Sequence, residues 1–284
     1  MSAMPLAHCP LWFENLIGKL EAPIRIQHRW FAAVEWLKMH SSASLGIHDI
    51  DLILECRKIW AEIPWDAKVP ALGAAVHITT EDLARFLSDE WLNDDMINAG
   101  ADYISRQLGR SSRSRIVNCL LSQSLQNMRA LVQQYMPRKP TRLDKEISAG
   151  LVDILYLPLH VFGNHWTLLR VDLVEGTFIY HDSLRPLATP PQATIDLITW
   201  WLDSILPDSR RMTFRLAEDT FTIPSQGDDH SCGIVILSTL AWILLHYNHW
   251  SQETAAAERM EWFIRLSSTV RAHSHVSSIA VCSI

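Results

Sequence analysis

The spacing of hydrophobic positions changes along the chain, and each change predicts a different element. In "IRIQHRWFAAVEWLKMH" (Ile24 to His40), Ile26, Trp30, Val34 and Leu37 recur every third or fourth residue, the repeat of one helix face. "GIHDIDLILECRKIWAEI" predicts a second helix, with Ile50, Ile53, Leu54 and Ile59 facing inward, and "SSASLG" between the two reads as a loop. Trp12, Trp30, Trp36 and Trp60 read as packing residues of this helical region. "IPWDAKVPALG", with its two prolines, marks a boundary near residues 63–73. A short helix is then expected over Glu81 to Phe86, capped by the Thr80 hydroxyl. A longer one is expected over Asp94 to Leu108, with Met96, Ile97, Ala101 and Ile104 apolar. "DEWLND" lies between them, a position from which Trp91 can wall a groove.

Beyond residue 150 the pattern tightens to strands. "DILYLPLHVF" reads as one strand, and "HWTLLRVDLVEGTFIYHDSL" as two joined at Val174-Glu175-Gly176. Prolines ahead of "QATIDLITWWLDSIL" open a helix. "RMTFRLA" and "TFTIP" read as short strands, Cys232 to about Tyr247 as an apolar helix, and "QETAAAERMEWFIRLSSTVRAH" as a closing amphipathic one. Helices, a small sheet, then helices again predict an α+β domain.

Composition narrows the class. The 284 residues allow one large domain, or one domain with an extension, and 48% hydrophobic against 20% charged residues supplies an ample core. A net charge of -6 argues against a nucleic-acid surface built on bulk charge, and no specific nucleic acid is expected. The best basic run, "RQLGRSSRSR" (Arg106 to Arg115), reads as a solvated loop. The five cysteines, Cys9, Cys56, Cys119, Cys232 and Cys282, form no CxxC pair, which points away from a disulfide framework or a cysteine zinc site and toward a reducing compartment. "MSAMPLAHCPLWF" lacks the pattern of a secretory signal. The longest apolar stretch, Gly233 to Tyr247, falls short of the ~20 residues a bilayer span requires, so it reads as a core helix and no membrane is expected.

The candidate chemistry lies in "SQGDDHSCG" (Ser225 to Gly233), where a polar loop meets that apolar helix. Cys232 is placed in the first helical turn, where free N–H groups and the helix dipole favour a thiolate, the nucleophilic form. A nucleophilic cysteine needs a base, and the base an orienting group. His165 opens one strand and Asp182 closes the next, so the hairpin brings them within reach of each other; His160, His181 and His230 are rivals for the base. The Cys232 N–H and the Gln226 side-chain amide are candidate donors to an oxyanion. Gly233 permits close backbone approach.

"WLND" (Trp91 to Asp94), "HW" (His165-Trp166), "HDS" (His181 to Ser183) and a Gln six places before the cysteine of "SCG" occur in that order. Over about residues 75–272 this resembles the catalytic domain of the Ulp1/sentrin-specific cysteine peptidases, which process SUMO and related ubiquitin-like modifiers. The resemblance implies a papain-like fold of the Ulp1 type, with a small mixed sheet flanked by helices over residues 71–284 and a helical extension over 1–70. It implies Cys232 as nucleophile, His165 as base, Asp182 as orienting carboxylate and Gln226 as oxyanion donor. Trp91 and Trp166 match the tryptophans that pinch a Gly-Gly tail, and Asp94 a position that meets a basic residue of the modifier. No metal or organic cofactor is implied. The implied partner is a SUMO-like modifier with its conjugates, met by a monomer in the nucleus or cytoplasm. Two positions depart from the family pattern: Ser231 stands where Asp is frequent and Asp228 where Asn is frequent. The Asp228-Asp229 pair is expected to raise the thiol pKa. A clan-related acetyltransferase with the same triad, and an inactive modifier-binding or mobile-element-linked homologue, are the competing readings.

Overall fold

The computed structural model describes residues 11–41, 47–65, 68–69, 78–109, 111–133, 139–217 and 223–281. The expected "SSASLG" loop, the 63–73 boundary and the "TFTIP" strand fall largely outside these residues. So do Cys9, Cys282 and the start of the chain.

Two helices open the described chain, α1 (Leu11–Ser41) and α2 (Ile47–Glu62). The predicted inner face of α1 holds: Leu37 is buried, and Ile26, Trp30 and Val34 are partly buried. In α2 the buried positions are Ile53, Cys56, Ile59 and Trp60, whereas Ile50 and Leu54, expected inward, are exposed. The buried face of α2 thus centres on Ile53-Cys56-Trp60, a quarter-turn away from the expected stripe. It packs on the last helix, α9 (Ala255–Val281). The short helix α3 (Thr80–Ala84) is capped by Thr79 rather than Thr80. Thr79 Oγ1 accepts from the Asp82 N–H while Asp82 Oδ2 accepts from the Thr79 N–H, a reciprocal pair that needs the three-residue spacing Thr79 has and Thr80 lacks. A 3-10 turn over Arg85–Leu87 follows, then α4 (Asp94–Leu108), capped by Asn93, which accepts from Met96 N–H.

The basic run is not simply a solvated loop. Part of it forms β1 (Ser114–Ile116), Arg115 pairs with Glu146 at 2.8 Å, Arg113 with Asp153, and Arg106 with Asp102. Helices α5 (Leu121–Gln133) and α6 (Arg142–Ser148) lead into the strands β2 (Ile154–Val161), β3 (His165–Asp172) and β4 (Thr177–His181). Helix α7 (Gln192–Ile205), β5 (Arg215–Leu216) and α8 (Cys232–Leu245) complete the order before α9. Of "RMTFRLA" only Arg215–Leu216 is strand, paired with β4. The sheet order is β1-β2-β3-β4-β5, with parallel outer pairs and an antiparallel centre.

Both faces of this mixed sheet are covered, which is why β2 reads as a nearly continuous apolar run. Tyr156, Trp166 and Leu168 face the larger core with α4, α8 and α9. Leu155, Leu157, Leu159, Leu169 and Val171 face a second core built with α7. The larger core also takes in Ala33, Trp36 and Leu37 of α1, so the N-terminal helices share it. No helix among the described residues is long and apolar enough to cross a membrane.

Helix α8 is buried all round, and α4 packs close against it at Gly100, where an added Cβ would lie 2.6 Å from Leu237 Cδ2. Gly100→Ala should therefore overpack the α4–α8 contact and lower unfolding stability by about 1–3 kcal/mol. A shifted midpoint at unchanged slope in chemical denaturation is the expected signature, and an unaltered midpoint would contradict the close approach.

Candidate active site

The hairpin of β3 and β4 pairs Leu168 with His181, which carries Asp182 back toward the start of β3. His165 Nε2 lies 2.7 Å from Asp182 Oδ1, and both side chains are buried. Asp182 Oδ1 already accepts the backbone N–H groups of Leu184 and Arg185, each at 2.9 Å. It is therefore the acceptor toward His165, which donates from Nε2 and keeps its lone pair on Nδ1. That Nδ1 is buried and has no hydrogen-bond partner. Arg185 Nε approaches Asp182 Oδ2 at 3.4 Å, a contact foreshadowed in the sequence only by its spacing three residues on.

Cys232 opens α8 as placed by the sequence, and it is 1% exposed. Burial raises its thiol pKa; the backbone N–H groups of Trp166, Gly233 and Cys232 itself pull the other way, and the charge of Asp228 adds to the rise. The Trp166 N–H that acts on the thiol belongs to the residue that follows His165. The expected effect of the acidic pair is thus carried by Asp228 and is secondary to burial. Of the other described cysteines, Cys56 lies in the core under α9 and Cys119 lines the cleft that holds Trp91 and Trp166. Burial raises the Cys56 thiol far above its usual range and the Cys119 thiol to about 12. Gly233 is closely approached, though by side chains rather than by the backbone expected: a Cβ there would sit 3.0 Å from Leu92 Cβ.

The loop before Cys232 is organised by Asp228. Its Oδ1 accepts the N–H groups of His230 and Ser231 at 3.0 and 2.7 Å. Its Oδ2 accepts from Ser231 Oγ at 2.8 Å and Gln252 Nε2 at 2.9 Å. The two departures from the family pattern are thus partners of each other. Gln226 is buried, and its Nε2 donates to the Asp228 carbonyl at 2.8 Å while its Oε1 accepts from Ser183 Oγ at 2.6 Å. Because that carbonyl can only accept, the amide orientation is determined, and Nε2 has a second N–H to offer. Gln252 is a supporting residue that no sequence pattern singled out, and Ser183, the last residue of "HDS", has no role assigned from the sequence.

Trp91 and Trp166 line one cleft of ≈ 470 Å³, together with Asn93, Asp94, His160 and Asn164. They differ in setting. Trp91 is 43% exposed and donates from Nε1 to the Asp229 carbonyl at 2.7 Å; Trp166 is 4% exposed and donates to the Leu92 carbonyl at 2.8 Å. Asp94 is the first residue of α4, at the cleft wall. The rival histidines have other surroundings. His160 lies tilted against Trp166 with ring centroids 4.7 Å apart, His181 is paired within the sheet, and His230 lies near Asp89, Asp228 and Asp229. Among the described residues, no group of three or more His, Cys, Asp or Glu is arranged to hold a metal ion.

Residues 90–270 match the C-terminal catalytic domain of the Ulp1 protease family. The chain belongs to the Ulp1 protease family. This Ulp1-family chain is 28% identical over 172 residues to "Ubiquitin-like-specific protease 1" of Saccharomyces cerevisiae. The match covers 58% of the chain and spans only 25% of that relative. Among solved structures, it shares its fold with the SUMO protease Ulp1 whose catalytic cysteine is oxidised to a sulfenic acid (TM-score 0.57, 18% identity, 79% of this chain and 96% of that one). It also matches the C-terminal Ulp1 protease domain in complex with Smt3, the yeast ortholog of SUMO (TM-score 0.56, 17% identity, 77% and 95%). The papain-like, Ulp1-type α+β fold with a helical N-terminal part is therefore the fold of this cysteine-protease domain.

The electrostatics of this Ulp1-type loop yield a signed expectation. Asp228→Asn removes the negative charge that raises the Cys232 thiol pKa but retains an oxygen for the His230 and Ser231 N–H groups. Alkylation of Cys232 followed against pH should then show its midpoint at lower pH, with a severalfold faster rate near neutrality. A midpoint moved upward would mean that the loop geometry outweighs the charge.

Proposed function

We propose that the chain is a thiol peptidase that cleaves after the C-terminal Gly-Gly of a SUMO-like modifier, in a precursor or in an isopeptide bond to lysine. The observation that carries this reading is the buried His165–Asp182 pair, which leaves His165 Nδ1 with a lone pair and no partner at the strand end where the Cys232 thiol lies.

In this mechanism Nδ1 takes the thiol proton and the Cys232 sulfur attacks the carbonyl of the terminal glycine. The Cys232 N–H and the second N–H of Gln226 Nε2 donate to the oxyanion that forms. His165 then protonates the departing amine as the C–N bond breaks and a thioester remains. Water, deprotonated by the same Nδ1, hydrolyses the thioester and restores the thiol. Asp182 keeps the imidazole in the required tautomer and stabilises its cation. Neither a metal nor an organic cofactor takes part. Trp91 and Trp166 form the slot for the two glycines, and Asp94 faces a basic residue of the modifier. In the same reading, residues 71–284 are the peptidase domain and residues 1–70 a helical extension, acting as a monomer in the nucleus or cytoplasm.

A panel of ubiquitin-like modifiers carrying C-terminal electrophiles tests the reaction and the modifier together. A SUMO-type probe should form a covalent adduct at Cys232, and Cys232→Ser should abolish turnover while retaining modifier binding. No adduct with any member of the panel, or an adduct on another cysteine, would sink the assignment.

The slot makes a separate prediction. A methyl group on either glycine should be rejected by more than the ~200-fold ceiling of an adaptable apolar pocket. Trp166 is part of the core, so Trp91, the exposed wall, is the cleaner site to alter. Trp91→Ala should lower kcat/KM for a Gly-Gly substrate and shrink its advantage over Gly-Ala. If the variant keeps the wild-type ratio, Trp91 does not shape the slot.

A further inference from the structure

Arg259 lies in the first turns of α9 and is 2% exposed, among the largest fully buried side chains of the protein. A buried guanidinium ordinarily faces a carboxylate in a bidentate pair. Here its three hydrogen bonds go to backbone carbonyls of two segments that are far apart in sequence. Nη1 donates to Arg85 and Nη2 to Glu90, both on the segment that leads into Trp91. Nη2 also donates to His230, two residues before Cys232. Each contact is 3.2 Å.

We infer that Arg259 is a positioning residue: its planar fork holds the Trp91 wall of the cleft and the Cys232 loop in one frame, so that a threaded tail and the thiol meet in register. The inference rests on the roles proposed for Cys232 and Trp91. Trp91 Nε1 also donates to the Asp229 carbonyl and His230 Nε2 lies 3.9 Å from Asp89 Oδ1, both at the more exposed end of the same junction. Arg259 closes the buried end. A lysine cannot replace it, because a single ammonium lacks the rigid spread of donors needed to reach three carbonyls held in fixed places. The charge has a second consequence. Burial lowers the Arg259 pKa to about 10, with the charges of Asp89, Asp228, Cys232 and Glu90 opposing that fall. The group is a cation at neutral pH, and a thiolate at Cys232 is among the charges that favour it.

Amide hydrogen exchange on the full chain tests the inference without any substrate. In the wild type, the Glu90–Leu92 and His230–Cys232 amides should open together, with matching protection. In Arg259→Lys both segments should lose protection together, while the amides of α7, on the other face of the sheet, keep theirs. The same variant should react with a SUMO electrophile probe about tenfold to a hundredfold more slowly. Its alkylation by iodoacetamide, which needs no tail in the cleft, should slow far less. A folded lysine variant in which the two segments keep wild-type protection, or in which only one loses it, would overturn the inference. If the lysine variant does not fold, unrelated protection of the two segments in the wild type overturns it and a shared opening supports it. A wild-type chain that ignores every modifier probe would refute the proposed function, and the exchange result would still decide whether Arg259 joins the two segments.

Discussion

A cysteine in the first turn of a helix that is buried on every side has to be reached from solvent without uncovering that helix. Most of the structure around Cys232 answers to this constraint. The helix cannot present a face, so it presents an end, and the end is where N–H groups without intrahelical partners are found. Gly233 lets the neighbouring segment approach until Leu92 is in contact, which seals the flank of α8 just beyond the thiol. The Trp166 indole then anchors the Leu92 carbonyl from the other side. The cleft is what remains between these closures.

The same constraint explains why the strands read as they do. With α8 on one face and α7 on the other, β2 and β3 must be apolar at both odd and even positions over most of their length. A polar residue is tolerated where the strand leaves the sandwich, and His165 is the first residue of β3. The imidazole is thus held by a rigid element yet sits at its rim. Its partner arrives by an equally rigid route, since the turn near Glu175 sets the register that returns Asp182 to it.

Where an element carries its own local signal, the sequence was enough to find it. The β3–β4 hairpin announced itself by two apolar runs around a Gly-containing turn, α4 by the spacing of Met96, Ile97, Ala101 and Ile104, and α8 by the abrupt change at Cys232. Where structure depends on a distant partner, the signal was missing or misleading. β1 spans only Ser114–Ile116 and exists because β2 lies beside it, so its local sequence reads as a basic loop. Ile50 and Leu54 belong to an apolar stripe that α9 does not cover. Trp91 and Trp166 looked equivalent as residues, yet one is a core side chain and the other a half-exposed wall. Arg259 shares a helix face with Trp262, Phe263 and Leu266, but its charge hides it among core residues in the sequence, and only the carbonyls it meets reveal its role.

The loop before the nucleophile shows how two positions that depart from the family pattern can partner each other. Asp228 and Ser231 stand where Asn and Asp are frequent among members the chain resembles. Because the Asp228 carboxylate accepts from the Ser231 hydroxyl and from two backbone N–H groups, the pair still stitches the loop together. One carboxylate and one neutral partner are present in either arrangement; what differs is which end carries the charge. In this chain it lies three residues farther from the cysteine in sequence, yet close enough in space to oppose thiolate formation. Arg259 stands on the opposite side of that balance, a buried cation that feels both Asp228 and Cys232. The ease with which this thiol ionises is therefore set first by burial and by the N–H groups of Trp166, Gly233 and Cys232 that oppose it, with the Asp228 charge a smaller addition from a loop that Asp228 and Arg259 both hold in place.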